Sequence, residues 1–104
     1  MIIDYRSFMK YCKNLKGRTL NTTNQVSFLV LSVRGNSLEY FIPSTCARDI
    51  IRAKNIQHIL HRYELSGSMS ICQYAGLVYA TYILTLLELY VKQQTLQKSL
   101  TIGG

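Results

Sequence analysis

The chain predicts a small basic α+β domain: an N-terminal helix, a central antiparallel β-hairpin with room for a third strand, and two C-terminal helices, the last forming the core. Three observations predict it. Apolar residues recur at helical spacing from Asp4 to Leu15 and from Asn55 to Tyr63. A run rich in β-branched residues, Val26 to Val33, is bounded by turn formers. Gly76 to Val91 is apolar around most of a helix circumference, broken only by Thr81, Thr85 and Glu88 along one narrow stripe.

Taken in order, Tyr5, Phe8, Cys12 and Leu15 line one side of the first helix, with Asp4 as N-cap and Gly17 as its stop. Thr19 to Asn24 is polar and carries turn chemistry. Val26 to Val33 is apolar on both sides in its middle, so it is expected to be a central strand covered on each side at least in part. Gly35-Asn36 closes a two-residue hairpin that calls for positive φ, Leu38 to Ile42 returns, and Pro43 ends the pairing. Ala47 to Ala53 fits neither period: it is a short third strand or the first turns of a helix. Ile56, Ile59, Leu60 and Tyr63 form the next helical stripe, capped by Asn55 and stopped by Ser66-Gly67. The long helix starts either at Ser70, which has capping-box spacing to Gln73, or near Ala75. Its end turns polar beyond Val91. The whole is one domain, residues 1–100, with a frayed tail at 101–104.

The same long stretch is the place to ask about a membrane. Its apolar part is shorter than the roughly 20 residues that span a bilayer, and Glu88 would be immersed. No membrane partner is expected. The N-terminus lacks the order of a signal peptide, and Cys12, Cys46 and Cys72 are far apart and odd in number. They read as small hydrophobes in a reducing compartment, which points to the cytoplasm.

Net charge is +7, which invites a polyanion. The balance comes from few acids, five against twelve Lys and Arg, rather than from a lysine-rich composition. Placement is more telling than the total. Arg6, Lys10 and Lys13 form a stripe on the first helix away from its apolar side, and Lys54, His58 and His61, with Arg62 beside them, do the same on the second. Plain solvation explains one cationic face; segregation on two helices argues for phosphate contact.

The expected function is therefore non-catalytic, largely sequence-tolerant binding of nucleic acid, DNA or RNA, through Arg6, Lys10, Lys13, Lys16, Arg18, Arg52, Lys54, His58, His61 and Arg62. One alternative is a protein-interaction or inhibitor module of the size common among phage and mobile-element proteins. It would use the tyrosine-rich helix over 76–91 as a homodimer surface, or the positive face against an acidic protein. Another is a metal-independent ribonuclease-like toxin, with His58 or His61 as acid and base, Arg52 or Arg62 on the phosphorane and Tyr63 positioning the nucleotide. In size and charge the chain resembles the small basic toxins of bacterial toxin–antitoxin modules, a compositional likeness that transfers no residue. No cofactor is implied. His58 and His61 have no third ligand at a recognised spacing, so no metal is expected. The chain has no Gly-rich phosphate loop, no G-x-S-x-G and no H-E-x-x-H.

Overall fold

A computed structural model describes residues 3–74, 77 and 79–103, with side chains described through Leu96. In chain order the elements are α1 (Tyr5–Asn14), β1 (Thr19–Asn21), β2 (Ser27–Arg34), β3 (Ser37–Ile42), β4 (Ala47–Arg52), α2 (Ala53–Ser66), a 3₁₀ turn (Ile71–Tyr74) and α3 (Ala80–Gly103). The fold is α+β, and the strands form one antiparallel meander in the order β1-β2-β3-β4. Among the described residues, no helix is long and apolar enough to cross a membrane.

Local chemistry sets the helix ends. The Asp4 carboxylate accepts from the Ser7 amide at 2.9 Å and the Ser7 hydroxyl at 2.8 Å, satisfying an unpaired donor of the first turn of α1. Gly17, two residues past the C-cap Leu15, takes φ +82°, open to glycine at little cost. Gly67 closes α2 at φ +67°, its amide bonded back to the Tyr63 carbonyl at 2.7 Å.

Four differences from the sequence expectations have physical causes. Thr19–Asn21 is a short edge strand, because its backbone pairs with Ser27 to Leu29 whatever its side chains prefer. Ala47 to Arg52 is strand throughout, and α2 begins at Ala53, with Arg52 as an N-cap lacking a side-chain bond; the cap is not Asn55. Gly35 and Asn36 close the hairpin without positive φ. Tertiary partners hold their carbonyls: the Tyr5 hydroxyl donates to Gly35 and the Ala53 amide to Asn36. Finally, Ser70 heads the 3₁₀ turn, and α3 starts at Ala80; Ala75, Gly76 and Val78 lie outside the described residues. At its far end α3 continues through Gly103; Gly104 lies outside the described residues.

The core lies on one side of the sheet. Phe28 and Val30 of β2, Leu38 and Tyr40 of β3 and Ile51 of β4 are buried together with Phe8, Met9 and Cys12 of α1, Ile56, Ile59 and Leu60 of α2, and Ile83, Leu86 and Leu87 of α3. Side chains alternate along strands, so every sheet residue of this core points to the same face, and the three helices cover that face. Tyr82 of α3 packs against Phe28 and stacks on Tyr40, while Tyr90 meets Phe8 and Tyr11 edge-on. Ile83, Leu84, Leu86, Leu87 and Tyr90 of α3 are thus buried inside the protomer. Thr81, Thr85 and Glu88 line a surface cavity of about 230 Å³ with Thr23, Asn24 and Ser70.

Candidate nucleic-acid interface

Because α1 and α2 bury their apolar sides in one core, their cationic sides point outward from it. Arg6, Lys10 and Lys13 on α1 and Lys54, His58, His61 and Arg62 on α2 are all exposed. Among the described residues the ion pairs are Arg48–Glu39 and Lys92–Glu88, so no carboxylate forms an ion pair with either stripe, although Asp4 lies close enough to feel the Arg6 charge. The acids nearest the stripes are engaged elsewhere. Asp4 caps α1, and its Ser7 hydrogen bonds, helped by the Arg6 charge, hold its pKa below the usual value. Glu64 accepts the Ile3 amide at 3.0 Å.

The two helices that carry the stripes start at one place. The Tyr5 hydroxyl donates to the Gly35 carbonyl at 3.0 Å, and the Ala53 amide donates to the Asn36 carbonyl at 2.8 Å, so both helices begin at the tip of the β2–β3 hairpin. On the strands beside that tip, Arg34 pairs with Ser37 and Ser37 with Arg52. Arg6, Arg34, Arg52 and Lys54 therefore leave the backbone around a single turn, and all four are exposed. None of the four makes an ion pair among the described residues, though the charges of Arg6 and Arg34 reach Asp4 and Glu39, and solvent screens all four.

The remaining sequence-predicted residues lie apart from this cluster. Lys16 and Arg18 are exposed in the connector between α1 and β1. Arg18 there faces Lys92 of α3 across a shallow hollow of about 420 Å³ that also includes Tyr11 and Leu96. Arg62 is committed structurally: its guanidinium donates to the Gln73 carbonyl and ties the 3₁₀ turn to α2. His58 and His61 stand on the exposed outer side of α2, and none of the described cavities is lined by either. Among the described residues no group of three His, Cys, Asp or Glu could hold a metal ion.

Two arginines escaped the sequence-level search. Arg34 reads as a turn residue and Arg48 as part of an ambiguous segment; only the strand register shows that each stands on the sheet face away from the core. Arg48 is bonded to Glu39, whose pKa is held down by that hydrogen bond first and by the arginine's charge. Among the described residues Arg34 makes no ion pair, though its charge also helps to lower the Glu39 pKa.

Comparison with protein-family models, with curated proteins and with solved structures found no significant match.

Proposed function

We propose that this protein binds nucleic acid without catalysing a reaction on it, by setting the hairpin tip and the outward faces of α1 and α2 against phosphates. The observation that carries this reading is the convergence of Arg6, Arg34, Arg52 and Lys54 around Gly35-Asn36 with no carboxylate paired to any of them. Lys10 and Lys13 extend the field along α1, and His58 and His61 add to it along α2 when protonated. Charge so placed attracts phosphate and reads no base, so binding is largely sequence-tolerant. The exposed free thiols of Cys46 and Cys72 fit a reducing, cytoplasmic setting.

Fluorescence anisotropy of a labelled duplex across a salt series tests it. With about five phosphates contacted, affinity falls with salt at a log–log slope of roughly −4 to −5. Lys10→Glu with Lys13→Glu makes that slope shallower. Salt-independent binding, or no binding at low salt, removes the reading.

A further inference from the structure

The helices cover only one face of the sheet. On the other, residues from neighbouring strands line up in register: Arg34–Ser37–Arg52, then Ser32–Glu39–Ile50, then Thr19–Leu29–Phe41–Arg48. Ile51 is buried on the core side, so Ile50 and Arg52 face outward by alternation, as do Phe41 and Leu29 beside the inward Tyr40 and Val30. Leu29 and Phe41 are half-buried by their neighbours but do not pack against the core, and Ile50 is 51% exposed. Among the described residues nothing packs on this face.

We propose that the open face of the sheet holds single-stranded nucleic acid, with bases laid on Phe41, Leu29 and Ile50 and the backbone held by Arg34 and Arg52. This deepens the nucleic-acid reading, on which it rests, by assigning a strandedness and a second contact surface. The face carries Phe41, Leu29 and Ile50 around the Glu39–Arg48 pair and has Arg34 and Arg52 at one end. An exposed base matches both features, with a planar π-face for the apolar side chains and a phosphate for the arginines. A duplex keeps its bases stacked inside and cannot use these apolar side chains. A second copy of the chain is a poor occupant, because the one carboxylate in these rungs, Glu39, is already bonded to Arg48 and none is left to meet Arg34 and Arg52. From Phe41 to the Arg34–Ser37–Arg52 rung is four residues of β3, about 13 Å at strand rise, a distance that a few nucleotides cover.

The chain contains no tryptophan, so Phe41→Trp creates a single indole on the face that can be excited apart from the eight tyrosines. Its emission is followed while the full-length variant is titrated with an unlabelled 12-mer, single-stranded or duplex. In parallel, Phe41→Leu and Ile50→Glu are assayed by anisotropy, each shown to be folded by its thermal melt. The single strand should quench the emission of the introduced indole and the duplex should not. Phe41→Leu should weaken single-strand binding about tenfold while leaving duplex affinity within about twofold, in keeping with the cost of losing one stacked base. Duplex binding with no quenching by the single strand overturns this proposal and leaves the phosphate reading standing. Failure of both oligonucleotides to bind at low salt overturns both. Equal weakening of both ligands by Ile50→Glu, or competition by an acidic peptide of the same length as strong as that of the single strand, also overturns the sheet-face proposal.

Discussion

The Tyr5 hydroxyl donates to the Gly35 carbonyl at 3.0 Å, joining the first turn of α1 to a hairpin tip thirty residues later in the chain. The bond fixes where Arg6 sits relative to Arg34, and the Ala53–Asn36 bond does the same for Lys54. Tyr5→Phe removes the bond and keeps the ring. The variant should lose about 0.5–1.5 kcal/mol in urea unfolding, the usual worth of a single hydrogen bond. It should also bind duplex more weakly than wild type under conditions where both are fully folded. Unchanged affinity would mean that the position of Arg6 does not depend on this bond.

Burial pushes the Tyr40 hydroxyl up to about 12, with the Asp49 and Tyr82 charges adding to the effect, and burial raises Tyr5 and Tyr11 as well. A raised folded-state pKa means that the unfolded chain ionises first. Stability from these groups is complete below the ordinary tyrosine value of about 10 and is lost as pH rises from there toward about 12. Urea midpoints at pH 8, 10 and 11 should decline modestly over the first interval, where the Cys12 thiol ionises in the unfolded chain, and more steeply over the second.

Cys12 is buried, and desolvation pushes its thiol up to about 12, whereas Cys46 and Cys72 are exposed. A chromogenic disulfide reagent at neutral pH should therefore titrate two thiols quickly and the third only after denaturant is added. Three fast thiols would show that α1 is not seated on the sheet.

Large side chains of α3 carry the core. Leu87→Ala, at a fully buried position, should cost about 2–5 kcal/mol, while Leu96→Ala, 61% exposed, should stay within about 0.5 kcal/mol of wild type. Equal effects in chemical unfolding would contradict the placement of α3.

Arg62 and Lys54 should separate by phenotype although both belong to the α2 stripe. Arg62→Ala breaks the bond to the Gln73 carbonyl and should lower stability by about 1 kcal/mol. Lys54→Ala should leave the melt unchanged and weaken duplex binding. The reverse pattern would mean that Arg62 is the ligand contact and Lys54 the structural one.

Much of the fold was legible because helix periodicity is local. The stripe from Tyr5 to Leu15, the stripe from Ile56 to Tyr63 and the apolar circumference of α3 each need only their own residues to be read. β1 was hidden because Thr19-Leu20-Asn21 has turn chemistry and becomes a strand only through pairing with β2. β4 was hidden because Ile50 and Ile51 are both apolar while only Ile51 is buried, which blurs the alternation that marks a half-covered strand. The two cationic stripes were legible as stripes. Their meeting point was not, since it depends on hydrogen bonds from Tyr5 to Gly35 and from Ala53 to Asn36 and on the register that puts Arg34 across from Ser37. The open sheet face was invisible for the same reason: Leu29, Phe41 and Ile50 look like core residues until it is known which side the helices cover.

The most direct test of the account is amide chemical-shift mapping of the labelled full-length protein titrated with a short duplex at low salt. Shifts should gather at Tyr5 to Lys13, at Arg34 to Ser37 and at Arg52 to Arg62. Shifts absent throughout, or confined to the Thr81, Thr85 and Glu88 side of α3, would contradict it.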